Sequence, residues 1–178
     1  MENLLRILSM SPNPASSDQR DHILKLLKQF ATAMLVTHAG AGHLRARPMA
    51  FAQIEDNGCV WFITSVDTAK VHEIVSDTRV HLVCQNEHST YLSISGRASL
   101  DLDPAKVGEV WKEPFKVWFP KGKTDPNIAL ISVQLDEVEY WDNQGWNKVS
   151  YLFESAKAYV TGTTPETKGD EEHAFVKF

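Results

Sequence analysis

The stretch Arg45–Lys70, RARPMAFAQIEDNGCVWFITSVDTAK, decides the fold of this chain. Apolar and polar residues alternate on both sides of Asn57 and Gly58. An Asn-Gly pair between two alternating runs is the strongest short-range signal of a β-hairpin. The stretch therefore predicts two antiparallel strands joined by a tight turn.

A two-residue turn at Asn57 and Gly58 also fixes which residues face each other. Because the side chains of a strand alternate between two faces, one face of the hairpin collects basic and apolar residues. The expected pairs are Ile54 with Trp61 and Phe51 with Thr64, with Arg47 and Arg45 near the levels of Thr68 and Lys70, and the expected shared face carries Arg45, Arg47, Met49, Phe51, Phe62 and Thr64.

Basic and hydroxyl side chains converge at the open end of this hairpin. Lys70 lies in the first turn of a short predicted helix, where a positive charge opposes the helix dipole by about 0.3 to 1 kcal/mol. A bound anion reverses that effect, and the first-turn amides, the Thr68 hydroxyl and a facing arginine would surround it. The residues thus predict an anion site beside an apolar wall, as a phosphorylated aromatic cofactor requires. The alternative is that Arg45 and Arg47 are a solvated pair on an edge strand.

The composition predicts one globular domain and excludes several classes of protein. Of the 178 residues, 43% are hydrophobic, which suits a single sizeable core. A net charge of -5 without a basic stripe argues against nucleic acid as a partner. Neither a signal peptide nor a membrane span is recognisable, so we expect a cytoplasmic protein. Cys59 and Cys84 lie apart in apolar runs and are predicted to be buried thiols rather than a disulfide or metal pair.

Periodicity and end signals predict about six strands with short helices. Because βαβ alternation is absent, these elements favour a mainly β protein, a small antiparallel barrel with peripheral helices. We expect an extension over 1–16, one domain over 17–161, and a mobile tail over 162–178, of which Phe175–Phe178 could instead dock. The predicted helices are Ser17–Phe30, a short helix capped by Asp67 with Val71, Ile74 and Val75 inward, one from Asp103-Pro104 to before Pro114, and Asn147–Val160; the predicted strands besides the hairpin are Ala33–Ala39, Val80–Gln85, Thr90–Leu100 and Ile128–Leu135 continuing through Tyr140.

No second set of residues competes with the hairpin site. The histidines show no His-x-x-x-His pair, Ser95-Gly96 lacks the rest of a nucleophile elbow, and the sequence indicates neither a metal site nor a catalytic residue. His38, His72 and His81 are predicted to be structural. The segment Trp118–Lys123 combines aromatic and basic residues in a loop and suits covering a planar ligand or a partner subunit, although its tryptophan could also be a core residue.

Four motifs carry a resemblance to a known family. The strings Arg47-Pro48-Met49, Trp61–Ser65 and Thr68-Ala69-Lys70 resemble the flavin-binding core of the pyridoxamine 5'-phosphate oxidase-like superfamily. The run from Trp111 to Pro126, Trp-x6-Trp-Phe-Pro-x-Gly-Lys-x-Asp-Pro, is similar to its bacterial general stress protein branch. The similarity covers roughly Leu26 to Trp146.

The resemblance implies an antiparallel split barrel that binds FMN, or FAD, at the interface of a homodimer. It implies that Arg47, Lys70 and Thr68 hold the phosphate and that Trp118 reaches the cofactor from the partner subunit or the adjacent loop. The chain lacks the Arg-containing end of true pyridoxamine phosphate oxidases, so that activity is not expected. The cofactor-binding residues implied are Arg47, Pro48, Met49, Ala50, Phe62, Ile63, Thr64, Ser65, Thr68, Lys70 and Trp118.

Three functions follow as hypotheses. The first is a flavin-dependent oxidoreductase, in which the residues position and tune the flavin. The second is a flavin-binding stress or sensor protein without turnover. The third is a relative that has exchanged the flavin for haem or a deazaflavin. The sequence identifies neither an electron donor nor an acceptor.

Overall fold

The computed structural model describes residues 13–87, 90–142 and 173–178. Within these ranges no helix is long and apolar enough to cross a membrane. The predicted helix Asn147–Val160 lies outside the described residues. The helices are α1 Ser17–Leu27, α2 Ala69–Ser76 and α3 Pro104–Val110, with 3-10 helices at Glu113–Val117 and Gly122–Thr124; the strands are β1 Asn13–Pro14, β2 Thr32–His38, β3 Leu44–Ile54, β4 Cys59–Ser65, β5 Arg79–Gln85, β6 Thr90–Asp101, β7 Ile128–Asp142 and β8 His173–Lys177.

Six of the strands close into an antiparallel barrel. Going round it, β2 pairs with β3, β3 with β4, β4 with β7, β7 with β6, β6 with β5, and β5 again with β2. The predicted mainly β architecture is confirmed. Inward-facing side chains from all six strands fill the barrel, among them the fully buried Leu35, Phe62, Leu82, Ile94 and Ile131.

The hairpin of β3 and β4 is present, but its turn is longer than predicted. The Gly58 amide donates to the Glu55 carbonyl at 3.1 Å, and the Glu55 amide donates to the Cys59 carbonyl at 2.8 Å. A two-residue turn of the favoured kind needs positive φ at both central positions. Of the two, Gly58 has positive φ, 81°, and Asn57 does not. The loop is therefore a longer turn that ends in a left-handed glycine.

A bulge between Phe51 and Gln53 changes the register of the hairpin further. The expected face is nevertheless correct, because the rings of Phe51 and Phe62 stack inside the barrel at 5.1 Å. The observed pairs are Phe51 with Phe62 and Ile54 with Val60, so the predicted pairs of Ile54 with Trp61 and Phe51 with Thr64 are wrong.

α1 and α2 contact opposite ends of β3. α1 begins with the predicted capping box, in which the Ser16 hydroxyl accepts from the Gln19 amide at 3.2 Å. It ends at Leu27, short of the predicted Phe30, because turn-type hydrogen bonds take over there. Its last turn lies beside the turn after β3, where Lys28 pairs with Asp56 at 2.7 Å. α2 contacts the other end of β3.

β6 and β7 approach each other closely at Gly96. The register shifts between Ser95 and Gly96, and both strands continue past this bulge. A Cβ on Gly96 would lie 2.5 Å from the Gln134 carbonyl oxygen and 2.9 Å from a Val133 methyl group. This crossing therefore requires glycine.

A second hydrophobic layer lies against the outer side of β3, β4 and β7. α3 starts as predicted, with Asp103 accepting from the Ala105 amide at 2.9 Å, and ends at Val110. Lys106 links α3 to the hairpin. Its Nζ lies 4.5 Å from the centre of the Trp61 ring and forms a salt bridge with Glu55 Oε1 at 2.9 Å. The layer contains Ala52, Val107, Val110, Phe115, Phe119, Ile128 and Leu130.

Both described ends of the chain join the sheet beyond β7. β8 pairs antiparallel with β7, and β1 pairs parallel with β8. The ring of Phe178 lies over Gly58, and Arg20 lies over the same ring at 5.1 Å. Phe175–Phe178 are thus docked on the sheet, as the alternative prediction had it, whereas residues 162–172 of the predicted tail lie outside the described residues.

Candidate functional site

The loop between β4 and α2 brings three predicted site residues together. Lys70 donates to the Thr64 hydroxyl at 2.9 Å. The Thr68 hydroxyl donates to the Ser65 carbonyl at 2.9 Å and lies 3.4 Å from the Thr64 hydroxyl. Because β4 ends and α2 begins within four residues, these groups meet at the helix N-terminus.

The predicted cap of α2 is wrong. The residue at the N-cap is Thr68 rather than Asp67, and its hydroxyl makes no capping bond because it is turned back to β4. Asp67 is exposed. Within the described part of the chain no side chain caps α2, so its N-terminus keeps the partial positive charge that attracts anions.

The two arginines of β3 differ in environment. The side chain of Arg47 is 19% exposed, whereas that of Arg45 is 61% exposed. Arg47 donates to the Thr37 hydroxyl and to the Leu35 carbonyl, the latter at 3.3 Å. At both arginines β3 is paired with β2, and its pairing with β4 begins only at Phe51. The alternative of a solvated pair on an edge strand thus describes the exposed Arg45 but not Arg47.

Glu73 joins the two arginines and was missed in the sequence. Its side chain is 8% exposed, and its oxygens accept from Arg47 at 2.7 Å, from Arg45 at 3.2 Å and from the Thr37 hydroxyl. Burial acts to raise the pKa of Glu73, but the bonds from Thr37 and Arg47 and the charges of both arginines outweigh it and lower the pKa. The carboxylate is ionised at neutral pH.

Glu73 was missed because the apolar residues of α2 were used to predict its inner face. The sequence predicts Val75 on the inner face of α2, yet Val75 is 71% exposed and Glu73 lies inward. Glu73 follows Lys70 by three positions and therefore shares its helix face. The signal that could have found it is this spacing together with two unpaired arginines on a neighbouring strand.

The cluster carries an excess of positive charge. Burial, and then the nearby charge of Arg47, lower the pKa of Lys70, while Glu73 acts in the opposite direction. Among the described residues no carboxylate lies within 4 Å of the Lys70 ammonium, and its hydrogen bond goes to a neutral hydroxyl. Three cations, Arg45, Arg47 and Lys70, thus share one carboxylate. This imbalance favours an anion.

The residues predicted to border a ring system lie on both faces of the sheet. Met49, Phe62 and Thr64 point into the barrel, and the Phe62 side chain is fully buried. The outer face carries the half-buried Ala50, Ile63 and Ser65, and the exposed Pro48, which pairs with Met34. Ala50 and Ile63 pack against the second hydrophobic layer. A planar ligand can thus touch side chains of the outer set, whereas Phe62 offers only its backbone.

Among the described residues, no hydrogen bond or ring contact joins Trp118 to the cluster. It follows the 3-10 helix Glu113–Val117, and it is 66% exposed while its neighbour Val117 is 78% exposed. An exposed tryptophan and valine side by side are a surface suited to a ligand or a second protein chain. The alternative that Trp118 is a core residue is wrong.

The other polar groups of the described residues are weaker candidates for a functional site. An open groove of about 490 Å³ on the outside of β2, β5 and β6 is lined by His81 and Ser95, among other residues. His81 is half-buried, contacts the hydroxyls of Ser93 and Ser95, and has a pKa lowered by burial, which fits the structural role predicted for it. In the described ranges no three His, Cys, Asp or Glu side chains could hold a metal ion.

Comparisons with known proteins agree with these features. The family model described as pyridoxamine 5'-phosphate oxidase like matches residues 18–166. The general stress FMN/FAD binding protein of Xanthomonas citri is 34% identical, with a TM-score of 0.63 over 74% of this chain and 94% of that chain. General stress protein 26 from Jannaschia sp. CCS1 is 25% identical, with a TM-score of 0.68 over 92% of this chain and 100% of that chain. A general stress family protein of Xanthomonas campestris pv. campestris is 35% identical, with a TM-score of 0.60 over 71% and 89%. The search of curated proteins finds no match.

Proposed function

Since the chain belongs to the pyridoxamine 5'-phosphate oxidase-like family and is of its general stress type, we propose that it binds FMN or FAD through a phosphate at the N-terminus of α2. The observation that supports this most is the partly buried Lys70 ammonium, which lies near Arg47 and hydrogen-bonds to a hydroxyl. Burying a cation beside a like charge costs free energy, which a bound phosphate would offset. The similar protein of Xanthomonas citri is described as FMN/FAD binding.

Different side chains bind the phosphate and the ring system of the cofactor. Arg47 and Lys70 supply charge to the phosphate, and the Thr68 hydroxyl and the uncapped amides of α2 supply neutral donors. Pro48, Ala50, Ile63 and Ser65 border the ring system with their side chains, and Met49, Phe62 and Thr64 support it from within the barrel. Trp118 covers a flavin from an exposed loop, either in its own subunit or in the partner.

A bound flavin supplies the redox chemistry itself, and the protein positions and tunes it. We propose a flavin-dependent oxidoreductase, with a flavin-binding protein without turnover as the second candidate. One observation favours the second: Glu73, the carboxylate nearest the site, is kept ionised by two arginines and a threonine, which makes it a poor proton donor. Steady NAD(P)H oxidation above that of free flavin would decide for the oxidoreductase.

The absorption spectrum of the purified protein tests flavin binding. We expect the bands of oxidised flavin, or their appearance on titration with FMN, and their loss in the double variant Arg47→Ala and Lys70→Ala. Full flavin occupancy in that variant would remove the phosphate assignment. A colourless protein that ignores FMN but shifts the Soret band of added haem would favour the haem-binding alternative.

We also propose that the protein is a homodimer. The outer face of β2, β3 and β5 carries an apolar patch, and two of its members, Met34 and Val83, are 39% and 40% exposed although they are paired neighbours. Val36, Ala46 and Pro48 continue the same face. Such a contiguous apolar face is typical of subunit contacts. Val83→Asp is expected to halve the mass measured by light scattering, and an unchanged mass would place the contact elsewhere.

A further inference from the structure

We propose that Glu73 is a positioning residue, which holds the Arg47 guanidinium in place for a phosphate although it is itself an anion. The inference rests on the proposed function and adds a residue that no sequence motif marks. Removing a negative charge next to an anion site normally strengthens anion binding. Here the removal of the Glu73 charge should weaken it.

The contacts of Arg47 fix one side of its guanidinium. One terminal nitrogen donates to the Thr37 hydroxyl and the Leu35 carbonyl, and the other donates to Glu73 at 2.7 Å. An arginine carries five N–H donors, so these three bonds leave Nε–H and one terminal hydrogen for a ligand. An arginine held by its neighbours loses less conformational entropy on binding than a mobile one.

Glu73 is also buried, and both of its carboxylate oxygens accept hydrogen bonds. It therefore does not compete with a phosphate for Arg47. One carboxylate oxygen accepts from Arg45, and the other accepts from Arg47 and Thr37. A side chain that is 8% exposed and bound on both oxygens stays in place when a ligand arrives. It therefore shapes the site rather than occupying it.

Charge balance explains why a carboxylate is tolerated here. Without Glu73, the cations Arg45, Arg47 and Lys70 would repel one another. With it, the four side chains keep a formal charge of about +2, which matches the charge of roughly -1.5 to -2 on a phosphate monoester at pH 7. Glu73 thus permits the arginines and the lysine to share one site.

The test compares Glu73→Gln with Asp67→Asn in the full-length protein. Both variants remove one negative charge near the N-terminus of α2, but Asp67 is exposed and carries no described contact to an arginine. FMN and riboflavin, which lacks the phosphate, are titrated by fluorescence quenching. We expect Glu73→Gln to weaken FMN binding about tenfold or more and to leave riboflavin binding unchanged. Asp67→Asn should bind FMN equally well or more tightly.

A second variant covers the case in which Glu73→Gln does not fold. Thr37→Val removes the hydroxyl that bonds both Glu73 and Arg47 and nearly preserves the side-chain shape. We expect a smaller loss of FMN affinity, again without an effect on riboflavin.

The outcomes separate this inference from the proposed function. If the wild type binds FMN and the folded Glu73→Gln or Thr37→Val protein binds it equally well or more tightly, the positioning role is wrong and the proposed function stands. An equal loss for FMN and riboflavin would also overturn the role, since it indicates a general structural effect. A wild type that binds neither FMN nor inorganic phosphate overturns both proposals.

Discussion

Lys70 donates its hydrogen bond to the Thr64 hydroxyl at 2.9 Å, so a partly buried cation at a helix N-terminus is met by a neutral group. Under the proposed function, this arrangement serves a ligand rather than the fold of the free protein. Binding and stability should therefore respond in opposite directions when Lys70 is changed.

Lys70→Met is expected to stabilise the flavin-free protein and to weaken FMN binding. Methionine keeps the length of the side chain and removes the charge that opposes the dipole of α2, a gain of up to about 1 kcal/mol. Thermal unfolding of the flavin-free protein and FMN titration measure the two effects. Lys25→Met is the control, because Lys25 lies in the last turn of α1, where its charge is favourable, and its loss should lower stability slightly. A clear loss of stability in Lys70→Met would contradict this account.

Glu73 should make stability depend on pH in the acid range. Its pKa in the folded protein lies below the ordinary value of 4.5, so its stabilisation is complete above that pH and is lost as pH falls through the folded pKa. We expect Glu73→Gln to lower the free energy of unfolding by about 2 kcal/mol at pH 7. The difference from the wild type should shrink below pH 4.5. A difference that is constant from pH 7 to pH 3 would be incompatible with an ionised Glu73.

Two glycines should respond oppositely to alanine. Gly96→Ala places a Cβ against the Gln134 carbonyl where β6 crosses β7, and overpacking of this kind costs about 1 to 3 kcal/mol. Gly108→Ala meets nothing within 4 Å in α3 and should stabilise by about 0.5 to 1 kcal/mol. Urea unfolding measures both. Equal stability of the two variants would contradict the close crossing.

The two thiols should differ in reactivity. Burial raises the pKa of Cys84 to about 12, and burial followed by the charge of Glu55 raises that of Cys59, which is only half-buried. Because the thiolate is the reactive form, iodoacetamide at pH 8 should leave Cys84 unmodified in the native protein and modify Cys59 slowly. Both should react in urea. Mass spectrometry after digestion gives the extent at each cysteine, and rapid native labelling of Cys84 would show that the barrel opens.

Local patterns predicted the elements of this fold well. The strict alternation of Thr90–Leu100 is observed as β6, and the Ser16 capping box opens α1 where it should. Local patterns could not predict that β7 closes the barrel by pairing with β4 and β6, because this pairing joins segments that are distant in the sequence. The predicted register of the hairpin is wrong for a local reason. Asn57-Gly58 correctly indicates a turn, but the bulge between Phe51 and Gln53 cannot be recognised in an alternating sequence.

The site was predicted in part. Lys70, Thr64 and Thr68 could be placed together because they lie within seven residues at one strand-to-helix junction. Glu73 was missed because a carboxylate ranks as a surface residue until its partners are known. Those partners, Arg45 and Arg47, are more than twenty residues away along the chain.

The parallel pairing of Asn13–Pro14 with Val176–Lys177 has a consequence for the order of assembly. The ribosome makes the first of these segments long before the second. All six barrel strands have been made by Asp142, when β1 still has no partner. The barrel can thus close on the nascent chain before β8 is made, and β8 then adds itself and β1 to the edge of a domain that is already folded.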